Sequence, residues 1–183
     1  KSLSIFIFHK QIKLNMDYNK YLANRLREIL LSGKWVVGSN FKQQIADLKW
    51  TEAKMKIENF NSISDITFHV NYYLSGVMEV FKGGNLTVKD KYSFDAPEIK
   101  SEMDWKVRKE KLVKDSEEFI ELIEDMESKR LMDICVKEEY GSFLRNVDVI
   151  IEHAYYHLGQ IVIIKKKIRN MKKTRDYEED LFS

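Results

Sequence analysis

The sequence predicts an all-α protein, a four-helix bundle with long crossover loops. Three observations predict it. Apolar residues recur at three- and four-residue spacing in four separate windows. One proline and seven glycines in 183 residues leave little to interrupt long helices. Period-two alternation is short wherever it occurs, as in Ser2–Phe8 and Lys91–Asp95.

The first helix is expected from Met16 to Leu31, with Tyr18, Leu22, Leu26, Ile29 and Leu30 on its apolar face. Asp17 or Asn15 caps its start, and Gly33 is expected to end it in the left-handed conformation. Lys34–Asn61 reads as a crossover. Phe41, Ile45 and Leu48 mark one helical turn, Trp50–Ala53 a second with Thr51 as its cap, and Trp35 and Trp50 are the expected anchors of the loop. The second helix, Asn61–Lys82, starts with Ser62 and Asp65 in capping-box spacing and stops at Gly83-Gly84. Ile66, His69, Val70, Tyr73 and Val77 share one of its faces.

Asn85–Lys100 contains Pro97 and has no helical period, so it is expected to be extended and to cover one end of the bundle. The third helix, Ser101–Glu127, turns Trp105, Leu112, Ser116, Phe119, Ile123 and Met126 inward and a mixed Lys/Glu face outward. After a connection over Ser128–Gly141, the fourth helix runs from Ser142 to about Lys173. Its inward stripe is Phe143, Val147, Ile150, Ala154, His157, Ile161 and Ile164. Lys165–Lys167, Arg169, Lys172 and Lys173 crowd its end, where cations oppose the negative end of the helix dipole. Residues 1–15 are then an N-terminal extension, 16–175 the helical domain and 176–183 a polar tail.

Composition bounds the function. The chain is 44% hydrophobic and 33% charged, the balance of a soluble globular domain. A net charge of +2 does not make an electrostatic nucleic-acid binder. No stretch approaches the roughly 20 apolar residues of a membrane span. Leu3–Phe8 is too short for a signal sequence and lacks a cleavage site. Cys135 is the single cysteine, which excludes an intramolecular disulfide and fits a cytoplasmic protein. Ile134 and Val136 beside it predict a buried, inert thiol. His9 reads as an ordinary surface or packing residue.

The chemistry concentrates in His153-Ala154-Tyr155-Tyr156-His157 and Gln160. Four residues on a helix is a rotation of about 40° and a rise of about 6 Å, so both imidazoles leave one face. That is how one helix offers two nitrogen ligands to a divalent ion. A third ligand is needed, and His69 on the second helix is the candidate, since metal sites in bundles form between facing helices. Each ring's other nitrogen needs a hydrogen-bond partner, and Gln160, Tyr73, Asn146, Asn71 and Glu152 are candidates. Glu152 points about 100° away from His153, so the zinc-protease arrangement is rejected.

A histidine midway along the second helix and H-x-x-x-H-x-G-Q on the last resemble the DinB-like superfamily, in its branch of small bacterial proteins of unknown function. Ser32–Phe41, Phe68–Tyr73 and Lys91–Asp95 are similar to that branch too, and the resemblance runs from about Met16 to about Lys172. It implies an up-down-down-up bundle, a divalent metal on His69, His153 and His157, and a homodimer. Some relatives of this kind are metal-dependent transferases or isomerases that use low-molecular-weight thiols such as bacillithiol or mycothiol. An all-imidazole set suits Zn, Ni, Cu or Fe, with Zn or Ni foremost, and three ligands leave a coordination position open.

Two functions follow. One is an enzyme that activates a small thiol and transfers it to an electrophile. The other is a non-catalytic metal-binding stress-response or interaction module. A third reading leaves the histidines as core residues of an empty bundle.

Overall fold

The computed structural model describes residues 17–35 and 38–181, with side chains as far as 174. The N-terminal extension, with the alternating Ser2–Phe8 stretch and His9, therefore lies outside the described residues, as do Val36 and Val37. The described chain is helical, with no strand and one isolated bridge between Ile134 and Ser142. No described helix is long and apolar enough to cross a membrane.

Helix α1 spans Tyr18–Arg27, and Asp17 accepts the Lys20 N–H at its start. It continues as a π-turn over Glu28–Ser32. Leu22, Leu26, Ile29 and Leu30 are buried as expected, while Tyr18 faces outward. Gly33 ends the helix in extended rather than left-handed backbone. The wider π-turn closes with Gly33 N–H donating to Glu28 O, and a Cβ on Gly33 would stand 2.5 Å from Glu28 Cα. The glycine is needed for close approach, not for a positive φ.

The crossover folds into two short helices, α2 (Phe41–Ala46) and α3 (Trp50–Ala53). Lys49, not Thr51, precedes α3, and its N–H is accepted by Glu52. Trp35 is 86% exposed and anchors nothing among the described residues. Trp50 is partly buried and packs against the core as expected, and a tryptophan of another helix joins it: Trp105 is fully buried and donates its Nε1–H to Leu48 O at 2.9 Å.

Helix α4 (Ile63–Phe81) carries the Ser62–Asp65 capping box and ends at Gly83, which has φ of 92°. The following segment is not simply extended, since Asp90–Tyr92 forms a 3₁₀ turn. It lies close against α4, where a Cβ on Gly76 would meet Val88 Cγ1 at 2.1 Å. Helix α5 spans Glu102–Asp125 from a Ser101 cap, and its expected inward stripe is buried throughout. Two 3₁₀ turns, Ser128–Met132 and Glu138–Tyr140, lead to α6 (Phe143–Leu181).

The α6 helix runs past Lys173, so the basic residues sit within it rather than at its end. They pair with acids of the crossover: Lys165 and Arg169 with Asp47, Lys172 with Glu52, and Lys167 with Glu58. Partner carboxylates, not the helix dipole, account for these four cations.

Helices α1 and α4 both pack on α5 and on α6. At the α4–α5 contact Asp115, 6% exposed, accepts hydrogen bonds from Lys111 (2.6 Å), Ser75 (2.6 Å) and Asn71 (2.9 Å). Burial pushes the Asp115 pKa up, but these bonds outweigh it and hold the carboxyl below its ordinary range. A depressed carboxylate pKa adds stability that is complete above the unfolded value of about 3.9 and is lost as pH falls through the folded value. Asp115→Asn is therefore expected to cost about 1–3 kcal/mol in urea unfolding at pH 7. The gap to wild type should shrink below pH 4; a gap independent of pH would contradict this assignment.

Candidate metal centre

The α4–α6 contact brings together the three histidines that the sequence pairs across two helices. His153 and His157 leave one face of α6, and His69 meets them from α4. His69 Nε2 lies 3.0 Å from His153 Nε2, and His157 Nε2 lies 3.0 Å from the same atom. One ligand atom from each residue falls within 4.8 Å of the others. His69 and His157 are buried, at 7% and 5% exposure, and His153 is half-buried.

Hydrogen bonds fix the ring states. His69 Nδ1 is 3.1 Å from Ser93 O, a group that can only accept, so Nδ1 carries the proton and Nε2 presents a lone pair. His157 Nδ1 is 2.8 Å from Gln160 Oε1 and is set in the same way. Two lone pairs thus converge on His153 Nε2. A proton there can satisfy at most one of them well, whereas a cation satisfies all three. Tetrahedral coordination with nitrogen at about 2.0–2.1 Å places donor atoms about 3.3 Å apart, close to the spacing found. The donor set therefore fits a divalent ion.

Electrostatics agree with that role. Burial, then the neighbouring charges of His157 and His69, pulls the His153 pKa down to about 4. Burial also lowers His69 and His157. All three rings are neutral at pH 7, the state in which imidazole binds metal.

Of the expected partners for the second ring nitrogens, Gln160 alone takes that place. Tyr73 packs nearly perpendicular to the His69 and His153 rings, at centroid separations of 5.1 and 5.3 Å, while its hydroxyl donates to Asp90 at 2.8 Å. Asn146 borders the same cleft but donates to Tyr140 O and Ser142 O. Asn71 faces α5 and Asp115 instead, and Glu152 points outward to Arg145 as its offset on the helix requires.

The sequence reading misses two members. Ser93 O holds His69, and Phe94 stacks on the His69 ring at 3.9 Å and 12°. Their signal was the Tyr92-Ser93-Phe94 alternation, which reads as extended, whereas the segment forms turns that lay Phe94 on His69. Cys135 differs from its expected surroundings as well. Its neighbours Ile134 and Val136 are exposed, and the thiol lines a cleft of about 460 Å³ that opens onto His69 and His153. Burial still raises its pKa.

Compared with protein-family models, curated proteins and solved structures, the chain finds no match.

Proposed function

We propose that this chain is a DinB-like four-helix bundle in up-down-down-up order. His69, His153 and His157 hold a divalent ion, Zn or Ni foremost, and the site activates a low-molecular-weight thiol for transfer to an electrophile. The observation that carries the reading is the convergence of three imidazole Nε2 atoms, two of them made lone-pair donors by Ser93 O and Gln160.

Contacts support the helix order. Ser64 meets Arg108, Asn71 meets Asp115 and Lys82 meets Glu118, as for α4 and α5 running in one sense. His69 lies by His157 and Phe81 by Phe143, as for α4 and α6 running in opposite senses. Arg25 pairs with Asp148, and Glu28 lies near Tyr155, as for α1 and α6 in parallel.

A bound divalent ion supplies the Lewis acidity that makes a thiol a nucleophile at neutral pH. The chain does the rest. Burial keeps the imidazoles unprotonated, Ser93 O and Gln160 hold two of them in the ligating tautomer, and Phe94 fixes the His69 plane. The cleft beside the histidines gives small molecules access. In the transfer the sulfur bonds to the electrophilic carbon, the leaving group departs with its bonding electrons, and the thiol proton passes to solvent.

The test is consumption of 1-chloro-2,4-dinitrobenzene by metal-loaded protein with cysteamine, cysteine, glutathione and 2-mercaptoethanol. Thiol-dependent turnover that falls at least about 100-fold in His157→Ala is expected, the scale of losing a metal ligand or its support. Absence of turnover with every thiol and several electrophiles would overturn the enzymatic reading and leave a non-catalytic metal-binding module.

A further inference from the structure

The cleft beside the histidines differs from the other clefts of this protein in charge. Lys and Arg make up 31 of the 183 residues. Three other clefts are each bordered by several of them, among them Arg108 with Lys111, Lys54 with Lys56, and Lys106 with Lys109. Among the described residues that line the cleft at the histidines, none is Lys or Arg. Its walls are Val77, Leu86, Val88, Val149 and Ile150, and its one carboxylate is Asp90.

Three cations near it have partners of their own among the described residues. Arg130, whose charge is felt at Cys135, donates to Phe81 O and lies over the Phe143 ring. Lys91 lies over Tyr92, and Lys137 pairs with Glu139. Asp90 is exposed and has no cationic partner among the described residues. One of its oxygens accepts the Tyr73 hydroxyl at 2.8 Å, which fixes the carboxylate at the cleft and leaves its second oxygen without a partner among the described residues.

We infer that this cleft takes a small molecule with an apolar body and a neutral or cationic head, the head meeting Asp90, and that it excludes molecules whose non-reacting part carries a carboxylate. A carboxylate placed beside Asp90, away from the histidines, would face that carboxylate and apolar walls with no Lys or Arg of the lining to offset its desolvation. An ammonium or an amide N–H would find an acceptor already oriented. The inference deepens the proposed function, on which it rests for the identity of the reacting group. It narrows the thiol and electrophile to aminothiols and neutral or cationic apolar compounds, with polyanionic thiols kept outside the cleft.

Cys135 gives a test that is independent of the metal. It is the single cysteine of the chain and lines this cleft. Its thiolate attacks the sulfenyl sulfur of a methanethiosulfonate, forms a disulfide and releases methanesulfinate. Labelling rates are measured for the trimethylammonium-ethyl and the sulfonato-ethyl reagents, each divided by its rate with N-acetylcysteine amide. The cationic reagent is expected to be favoured about fivefold, the scale of one partly screened charge bordering the same cleft. Asp90→Asn should bring the ratio close to one.

Equal or faster normalised labelling by the anionic reagent would overturn the inference, as would a ratio unchanged in Asp90→Asn. Failure of both reagents to label the folded protein, with labelling restored in urea, would show a closed cleft and overturn it as well. The measurement is repeated in the presence of a chelator. Charge selection that persists in protein shown to bind no metal would sink the metal reading while leaving this inference standing.

Discussion

Chelation is expected to lower the unfolding midpoint of the wild-type protein by about 5–10 °C and to leave His153→Ala unmoved. The size follows from linkage. A ligand that binds only the folded state at 100 times its Kd adds about 2.7 kcal/mol. Each kcal/mol moves the midpoint of a domain this long by about 2–4 °C. His153 is the informative position because its Nε2 stands 3.0 Å from both other ligand atoms. Removing it leaves His69 on α4 and His157 on α6 without the atom between them. The metal-free wild type already holds lone pairs facing one another, so His153→Ala relieves crowding in the apo state and is expected to fold. Scanning calorimetry of both proteins, with and without chelator, reads the effect; an equal chelator response in the two would refute it.

The second large effect is structural. Trp105→Ala is expected to cost about 3–5 kcal/mol, the range for deleting a buried aromatic side chain. Trp105 has no exposed surface, and its indole is the hydrogen-bond partner of Leu48 O in the crossover. The substitution therefore opens a cavity and orphans a carbonyl together. Trp105→Phe separates the two contributions. It keeps most of the apolar area and loses the N–H, so a cost of about 1–2 kcal/mol is expected in urea unfolding. A cost for Trp105→Phe as large as for alanine would show that the hydrogen bond, not the packing, carries the anchor.

Much of the fold was legible because helical periodicity is a local signal. The inward stripes of α5 and α6 could be read from spacing alone, and Ser62 acts as a cap where the sequence places it. What was not legible depended on which surfaces meet. Trp50 packs on the core as its size suggests, but Trp35 does not, and no local pattern couples Trp105 of α5 to Leu48 of the crossover. The basic run on α6 looked like a helix end until Asp47, Glu52 and Glu58 came to face it across more than a hundred residues of chain.

The candidate site shows the same division. His153, His157 and Gln160 share one helix, so their geometry follows from the α-helical repeat, and His69 needed only the assumption that two helices are neighbours. Asn71 and Asn146 are amides near histidines in sequence that turn to Asp115 and to backbone carbonyls instead. Ser93 and Phe94 come from an irregular segment, where backbone direction is set by tertiary contact and not by period. Chain connectivity gave no hint that Cys135 and Asp90 would border one cleft.

The central claim is that three imidazoles from two helices hold one metal ion. Plasma mass spectrometry of untagged wild-type protein and of His69→Ala, after incubation with Zn and with Ni and removal of free ion, tests it most directly. The account predicts close to one equivalent in the wild type and background in the variant, with the circular dichroism of the two alike. Background metal in both proteins would contradict it and leave three neutral histidines as part of the α4–α6 packing.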